Sequence, residues 1–332
     1  MYTDKKIAVL GGGSWATAIV KLLLNNRNQL NWFMRNYSTI EYIREYGHNP
    51  RYLSDVKIDT SSVVLCDDIN RAVENADILI FAIPAAYLQS ALDKLRRKDL
   101  ADKYILSAIK GIVPEEDLIV GEYFNKRYKV PYDQIGIIAG PCHAEEVALE
   151  RLSYLTIAAE NEEFATYIAK DLKCRYMQTL ISDDIFGTEY AAVLKNIFAL
   201  AAGICNGLGY GDNFQAVLIS NAIREMKRFA DMVHPITRDI KDSAYLGDLI
   251  VTAYSKFSRN RTFGTMIGKG YSVKAAQLEL GMVAEGYFAV KGIMHIKDSM
   301  EIDLPITEAV YNILYKRIPA VIAIKRLSGL LT

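Results

Sequence analysis

Residues 11–18, Gly-Gly-Gly-Ser-Trp-Ala-Thr-Ala, constrain the fold of this chain more than any other segment. They directly follow the apolar run Ile7–Leu10, and an apolar helical pattern continues from them to about Asn25. A G-x-G-x-x-G/A turn between a first strand and a helix is typical of a dinucleotide-binding βαβ unit. Gly11 would allow the tight turn, and Gly13 would let the backbone approach a pyrophosphate at the helix N-terminus. A glycine turn without a ligand is the alternative, and the position of the motif favours the dinucleotide.

Short β-rich runs alternate with helical patterns up to about residue 181, which predicts βαβ units. The predicted strands are Ile7–Leu10, Gln29–Met34, Val63–Leu65, Asp77–Ile83, Tyr104–Ser107, Ile135–Ala139 and Leu155–Ala159. From Glu189 to Arg326 the pattern is helical. We therefore predict an α/β fold in which residues 1–182 form a Rossmann-type dinucleotide-binding domain with a doubly wound, mainly parallel sheet. Residues 183–332 are predicted to form an all-helical domain for substrate binding and catalysis.

The bulk composition excludes several classes of protein. The chain has 51% apolar and 23% charged residues and a net charge of zero, so it has no overall field that would attract nucleic acid or an anionic membrane. No signal peptide and no uninterrupted apolar stretch of roughly 18 residues is evident. The four cysteines and four histidines lack ligand or disulfide spacing. We expect a cytoplasmic protein with reduced thiols, no metal site, no nucleic-acid partner and no stable membrane insertion.

The end of the second predicted strand bears on the choice of dinucleotide. An NAD-specific domain usually places an acidic residue there for the ribose hydroxyls, whereas this chain has Arg35. An arginine can pair with a 2′-phosphate, which makes NADPH at least as good a candidate as NADH. The alternative, that Arg35 is a solvated strand end, stays open.

Lys195 interrupts a helical segment, residues 190–202, that is otherwise almost wholly apolar. A buried lysine is costly unless it is paired or functional, and burial can lower its pKa until it exchanges a proton near neutrality. The alternative is a lysine whose stem reaches the surface. The pattern favours a functional lysine.

Two further basic segments are candidates for ligand binding. Lys110 follows the predicted strand Tyr104–Ser107, at the edge where open α/β sheets bind ligands, although a solvated lysine is common there. Residues 258–261, Ser-Arg-Asn-Arg, combine guanidinium, hydroxyl and amide groups that suit a phosphate or carboxylate. A solvated loop is the alternative for this run, and a helix N-cap is the alternative for nearby Asp248.

Seven segments in order resemble the bacterial NAD(P)-dependent glycerol-3-phosphate dehydrogenases along nearly the whole chain. They read GGGSWATA, SAIKG, AGPCHAEEVA, EYAAVLKNIFALAAGICNGLGYGDN, LGDLIVT, SRNRTFG and VAEG. The resemblance implies a cytosolic enzyme that interconverts dihydroxyacetone phosphate and sn-glycerol 3-phosphate with NADP or NAD and supplies glycerophospholipid synthesis. It also implies a small phosphate-bearing substrate and a homodimer, which is common in that family.

Matching positions carry the roles that the resemblance implies. Lys195 would be the general acid and base, and Lys110, Asp248 and Thr252 would complete the catalytic group. The cofactor set would be Gly11, Gly13, Ser14, Trp15, Arg35, Lys110, Ala144, Arg259, Val283 and Glu285. The substrate set would be Lys110, Gly140, Cys142, Lys195, Asp248, Ser258, Arg259 and Asn260.

Three positions depart from the family pattern: Cys142 stands where a serine is usual, Ala16 where many members have glycine, and Tyr245 where a small residue is commoner. None of them removes a reacting group. Two other functions stay open at this stage. The first is a related dehydrogenase for another small hydroxy acid, and the second is a non-catalytic NADPH-binding regulator.

Overall fold

The computed structural model describes residues 5–332, which divide into two compact units. Unit 1 comprises the chain up to Ile109 together with Val120–Ile185, and unit 2 comprises Lys110–Ile119 together with Phe186–Thr332. The sequence pattern placed residues 110–119 in the first domain, whereas their contacts place them with the helices of unit 2. The boundary predicted near Ser182 lies close to Ile185, where the contacts change from one unit to the other.

Ten strands lie within the described residues. They are β1 (Ile7–Leu10), β2 (Leu30–Phe33), β3 (Val63–Cys66), β4 (Ile78–Phe81), β5 (Tyr104–Ser107), β6 (Ile112–Val113), β7 (Leu118–Ile119), β8 (Ile135–Ala139), β9 (Ser153–Ala159) and β10 (Met177–Ser182). Eight of them form one sheet in unit 1, in the order β10-β9-β8-β5-β4-β1-β2-β3. Every neighbouring pair in it is parallel except β8 and β9. The mainly parallel α/β sheet predicted from the sequence is therefore confirmed.

Three strands are absent from the sequence-based prediction. β10 is an edge strand whose residues are mostly half-buried or exposed, so it lacks the continuous apolar run of an inner strand. β6 and β7 are two residues each and pair antiparallel, which is too short for a periodic signal. Their hairpin packs against a helix of unit 2, where a Cβ added to Gly292 would lie 3.0 Å from Ile112. This packing explains why residues 110–119 belong to unit 2.

Fifteen α-helices lie within the described residues. Unit 1 contains α1 (Ser14–Leu23), α2 (Tyr37–Tyr46), α3 (Ile69–Glu74), α4 (Leu88–Leu92), α5 (Val120–Tyr123), α6 (Ala144–Ala148) and α7 (Glu162–Leu172). The others are α8 (Ile185–Gly207), α9 (Asp212–Val233), α10 (Asp248–Tyr254), α11 (Arg259–Gly268), α12 (Val273–Leu280), α13 (Glu285–Met300), α14 (Pro305–Leu314) and α15 (Ala320–Ser328). The helical second domain predicted from the sequence is observed.

Helix α8 is the centre of unit 2. All residues from 187 to 205 are buried, and many of them belong to the core formed with the surrounding helices. In length and composition α8 is the one described helix that could cross a membrane, but its most apolar 18-residue window is 94% buried inside the protein. A helix that is apolar on all sides and covered on all sides is a core helix.

Glycines bring α8 and α11 into backbone contact. A Cβ added to Gly203 of α8 would lie 2.1 Å from the carbonyl oxygen of Arg261, and one added to Gly264 of α11 would lie 2.3 Å from that of Leu200. Gly207 and Gly268, one turn further along each helix, are as tightly confined. Because no side chain fits between the two backbones, α11 is held against α8 along two turns.

We expect Gly264→Ala to destabilise unit 2, because the new methyl group would overlap the backbone of α8. Overpacking of this kind costs about 1–3 kcal/mol. The free energy of unfolding, measured by urea denaturation, is expected to fall by that amount. Gly329→Ala is the matched control, since its added Cβ meets no atom closer than 3.5 Å. Equal stability of the two variants would contradict the proposed backbone contact.

Candidate active site

The glycine loop of unit 1 has the geometry that a bound dinucleotide requires. Gly11 has a φ of +140°, and a Cβ added to it would lie 2.3 Å from the carbonyl oxygen of Ala82, so only glycine fits there. Gly13 precedes α1 as its N-cap, and a Cβ added to it would meet no atom within 4 Å. The backbone at Gly13 is thus open where the amides of the first turn of α1 lack helical partners. These features fit a pyrophosphate at the N-terminus of α1.

The other cofactor residues predicted in unit 1 lie at ends of its elements. Ser14 and Trp15 form the first turn of α1, and both are partly buried. Arg35 is exposed two residues beyond the end of β2. Asn36, next to it, caps α2 by accepting a hydrogen bond from the backbone N–H of Thr39. Arg35 therefore stands at the carboxyl end of a parallel strand, where open α/β sheets bind ligands.

Gly140 and Cys142 lie in the turn that leads from β8 to Ala144 of α6. Gly140 has a φ of +111°, which favours glycine, and its carbonyl oxygen accepts a hydrogen bond from the backbone N–H of Cys142. The buried thiol of Cys142 donates to the carbonyl oxygen of Tyr154 at 3.0 Å. Ala144 is the first residue of α6. A serine hydroxyl could donate the same hydrogen bond, which explains why cysteine is compatible with this turn.

In unit 2 a single carboxylate contacts two lysines. The Nζ atom of Lys195 donates a hydrogen bond to Oδ1 of Asp248, and the Nζ atom of Lys110 lies 3.5 Å from Oδ2. The side chains of Lys195 and Asp248 are 4% and 1% exposed, and that of Lys110 is 19% exposed. Lys195 therefore does not reach the surface. With both lysines protonated, the group carries one excess positive charge, which suits an anionic ligand.

Burial sets the acidity of Lys195. The pKa of Lys195 is lowered to about 7, and desolvation is the largest cause, because the ammonium ion is poorly stabilised away from water. The charge of Asp248 raises the pKa, and that of Lys110 lowers it. The balance leaves a lysine that can give or take a proton near neutral pH.

Asp248 and Thr252 occupy one face of α10. Asp248 is the first residue of this helix, and Gly247 is the N-cap, so the alternative of Asp248 as an N-cap is wrong. Thr252, one turn later, donates its hydroxyl to the carbonyl oxygen of Asp248 at 2.7 Å and lies 3.5 Å from Oδ1. Both side chains are buried. Thr252 thus lies beside the carboxylate oxygen that Lys195 contacts.

Asn196 and Gly286 extend the cluster, and no role was predicted for either residue from its sequence pattern. Asn196 follows Lys195 on α8 and donates its amide hydrogen to the carbonyl oxygen of Lys110 at 2.7 Å. Its amide oxygen accepts from Asn260 at 2.9 Å, and Asn260 in turn accepts from the backbone N–H of Gly286 at 2.9 Å. A polar residue in an apolar helix was the signal available in the sequence. This chain of hydrogen bonds connects Lys110, which precedes the β6–β7 hairpin, with α8, α11 and α13.

The remaining predicted residues of unit 2 surround the N-termini of α11 and α13. Ser258 is the N-cap of α11 and accepts a hydrogen bond from the backbone N–H of Arg261, so residues 258–261 begin a helix and do not form a solvated loop. The guanidinium of Arg259 is 3.4 Å from the carbonyl oxygen of Val283. Glu285 is the first residue of α13. Unit 2 therefore collects Lys110, Lys195, Asp248, Thr252 and Asn260 into one network.

Substitutions of Gly11 and Gly13 in the loop are expected to have different effects. We expect Gly11→Ala to lower the free energy of unfolding, because it forces a Cβ into the backbone of Ala82 at a positive φ. Gly13→Ala is expected to leave stability nearly unchanged and to weaken dinucleotide binding, because its methyl group fills the open approach to the N-terminus of α1. Thermal unfolding and titration with NADPH measure the two effects. Unchanged NADPH affinity in Gly13→Ala would contradict the placement of the pyrophosphate.

Solved structures resemble the chain over nearly its whole length. The glycerol-3-phosphate dehydrogenase of Coxiella burnetii superposes with a TM-score of 0.90 at 26% identity, covering 97% of this chain and 98% of that one. A D-mandelate dehydrogenase superposes with a TM-score of 0.61 at 18% identity, covering 94% and 98% of the two chains. At that identity the second likeness shows a shared fold alone.

Sequence relatives and family models agree with the structural likeness. A protein of Chlorobium phaeobacteroides named glycerol-3-phosphate dehydrogenase [NAD(P)+] is 34% identical over 316 residues, which is 95% of this chain and 94% of that protein. A protein of the same name from Clostridium botulinum is 32% identical over 312 residues, with 94% and 93% covered. The models of the N-terminus and C-terminus of NAD-dependent glycerol-3-phosphate dehydrogenase match residues 6–165 and 184–325. This chain therefore belongs to the NAD-dependent glycerol-3-phosphate dehydrogenase family.

Proposed function

We propose that the protein interconverts dihydroxyacetone phosphate and sn-glycerol 3-phosphate with NADPH or NADH. The observation that carries this proposal is the contact of buried Lys195 and Asp248 with partly buried Lys110 in a chain of this family. The group supplies a proton near neutral pH and an excess positive charge, both of which reduction of a phosphorylated ketone requires.

Residues of unit 1 would hold the dinucleotide. The backbone around Gly13, with Ser14 and Trp15, would bind the pyrophosphate, and Arg35 would pair with a 2′-phosphate when NADPH is used. Ala144, Arg259, Val283 and Glu285 are the further residues that we propose contact the cofactor. When bound, the nicotinamide supplies the hydride for the carbonyl carbon.

Lys195 moves the proton of the reaction. Its ammonium group donates to the carbonyl oxygen as negative charge develops there, and its neutral amine takes the proton back during oxidation of the alcohol. Asp248 orients the Nζ atom, and Thr252 donates to the backbone of Asp248 and lies beside its Oδ1. The second lysine, Lys110, adds positive charge on the other oxygen of Asp248.

The N-terminus of α11 is the proposed position of the substrate phosphate. Ser258 and Arg259 present a hydroxyl and a guanidinium group at that end of the helix, which favours an anion. Asn260 uses one amide hydrogen and one oxygen lone pair within the protein, so each of its polar groups keeps one further bonding position. Gly140 and Cys142 are proposed to bind substrate through their turn.

We further propose where the protein acts, what its product supplies and how the chain assembles. The reaction would take place in the cytoplasm, with glycerol 3-phosphate supplied to glycerophospholipid synthesis and the protein acting as a homodimer. Arg35 supports NADPH as the preferred cofactor, because no carboxylate follows β2 at the ribose position.

The direct test is loss of nicotinamide absorbance at about 340 nm when dihydroxyacetone phosphate is added to the protein with NADPH or with NADH. Rapid, substrate-dependent loss establishes the reaction and ranks the two cofactors. Loss with small ketoacids alone would assign the chain to another substrate. Tight NADPH binding without turnover of either substrate class would indicate a regulator.

We expect Lys195→Ala to reduce turnover by about 10²- to 10⁴-fold, because it removes the proton donor. NADPH affinity is expected to stay within a few-fold of the parent value, as measured by fluorescence titration. Lys291→Ala, at an exposed position of α13, is the matched control and should keep full activity. An active Lys195→Ala enzyme would refute the assigned role.

The pH profile provides an independent check on Lys195. Reduction requires its protonated form, so kcat/KM for dihydroxyacetone phosphate should fall as pH rises through about 7. Oxidation requires the neutral amine, and kcat/KM for glycerol 3-phosphate should rise through the same range. Asp248→Asn removes the charge that raises this pKa, so the inflection should move to lower pH. An inflection near the ordinary lysine value of 10.5 would contradict this assignment.

A further inference from the structure

Asn49 is a buried amide of unit 1 to which the proposed reaction gives no role. It lies in the segment that follows α2, and the residue is 0% exposed. Burying an amide is unfavourable unless its polar groups form hydrogen bonds. The partners of Asn49 therefore show what holds it inside unit 1.

The amide oxygen of Asn49 closes a local turn. It accepts hydrogen bonds from the backbone N–H groups of Arg51 at 3.1 Å and Tyr52 at 3.3 Å. Asparagine commonly forms such turns with backbone groups that follow it closely along the chain. Pro50, which has no N–H group and a fixed φ, stands inside the turn. The local sequence therefore fixes the orientation of the Asn49 side chain.

The amide nitrogen of Asn49 contacts the glycine loop and α1. Its Nδ2 atom donates to the carbonyl oxygen of Gly12 at 3.2 Å and to Oγ1 of Thr17 at 2.9 Å. A carbonyl oxygen can only accept, and the Thr17 hydroxyl uses its hydrogen on the carbonyl oxygen of Gly13 at 3.0 Å. Both partners thus require a donor, which fixes the side of the amide that carries the nitrogen. All four hydrogen-bonding positions of the Asn49 side chain are used.

Three consecutive carbonyl oxygens, those of residues 11–13, accept hydrogen bonds from buried side chains. Nε1 of Trp32 donates to the first at 2.7 Å, Asn49 donates to the second, and the hydroxyl of Thr17 donates to the third. Trp32, Asn49 and Thr17 are each 0% exposed. These side chains therefore act on the loop through its backbone and have no surface that a bound dinucleotide could contact.

The direction of the Gly12 carbonyl determines the direction of the next N–H group. In a planar trans peptide the C=O group and the following N–H group point in opposite directions. The bond from Asn49 to Gly12 therefore turns the N–H of Gly13 away from Asn49. Gly13 is also where the loop is open, since a Cβ added to it would meet no atom within 4 Å. Within residues 5–332 no backbone carbonyl accepts from the N–H groups of Gly12, Gly13 or Ser14.

We propose that Asn49 is a positioning residue for dinucleotide binding, which holds the Gly12 carbonyl so that the N–H of Gly13 faces the pyrophosphate. This role rests on the proposed use of NADPH or NADH. The peptide between two glycines rotates easily, because neither residue has a Cβ that restricts it. Without Asn49 only a fraction of the molecules would present the N–H group correctly, and the affinity for the dinucleotide would fall by that fraction.

Titration with NADPH, followed by nicotinamide fluorescence, tests the role of Asn49. Asn49→Ser keeps an oxygen that can accept in the local turn and removes both amide donors. We expect the Kd for NADPH to rise about ten-fold, because about a tenth of the molecules would hold the loop in the binding orientation. A Kd within about two-fold of the parent value would overturn the proposal. The titration needs no ketone, so its outcome is separate from that of the proposed reaction.

Thr17 offers a second pair of variants for the same contact. Thr17→Val keeps the shape of the side chain and removes the hydroxyl that bonds Asn49, whereas Thr17→Ser keeps the hydroxyl. We expect the Kd for NADPH to rise about five-fold in Thr17→Val and to stay within about two-fold of the parent value in Thr17→Ser. Equal Kd values in the two variants would overturn the proposal.

The same titration separates a positioning role from loss of folded protein. A positioning role raises the Kd of Asn49→Ser and leaves the number of NADPH sites per chain unchanged, whereas partial unfolding removes sites and leaves the Kd unchanged. KM for NADPH should rise with the Kd, while kcat at saturating NADPH stays within about two-fold of the parent value. Ile168→Val, which removes one buried methyl group from α7, is the control for lowered stability and should keep the parent Kd. Loss of sites at the parent Kd in Asn49→Ser would overturn the proposal.

Discussion

The contact between Lys195 and Asp248 is the interaction on which the helical unit depends. Helix α8 is covered on all sides, and an unpaired ammonium ion at its centre would cost several kcal/mol. One carboxylate from α10 compensates that charge and also faces Lys110. The same pairing leaves Lys195 acidic enough to react near neutral pH, because burial lowers its pKa more than Asp248 raises it. A structural requirement and a chemical one are therefore met by the same pair.

Backbone contact between α8 and α11 supports this arrangement. The glycines of the two helices allow direct backbone contact, because each backbone fills the space where the other would carry a Cβ. Asn260 on α11 is held close enough to bond Asn196 on α8, and Asn196 is held close enough to bond the backbone of Lys110. Reactive side chains that are positioned in this way need little reorganisation when a substrate binds.

In unit 1, glycines again allow close backbone contact, and one of them also leaves space for a ligand. At Gly11 the chain passes so close to Ala82 that a side chain is excluded, and at Gly13 it is left open. The first glycine serves the fold and the second serves the ligand, although both belong to one motif. Strand β10 lies at one edge of the same sheet and pairs only with β9 among residues 5–332.

The sequence by itself determined the class of fold and most members of the candidate site. Strand-turn-helix order and long apolar runs are local signals, so the glycine loop, the inner strands and the apolar helix around Lys195 were all recognisable. The polar network was only partly recognisable, because the apolar helix around Asn196 marks it as unusual but does not indicate its distant partners, Lys110 and Asn260. An edge strand and a short hairpin carry too few buried residues to produce periodicity, and β10, β6 and β7 were therefore missed.

Tertiary structure alone decided which charges meet. Lys110 and Asp248 are 138 residues apart, and no local pattern states that their side chains share a contact or that residues 110–119 belong with the helices. The pKa of Lys195 depends on burial and on two distant charges, both of which exist only once the helices have packed. Local sequence specifies the elements through backbone and side-chain preferences, whereas long-range packing specifies the electrostatic environment in which the chemistry takes place.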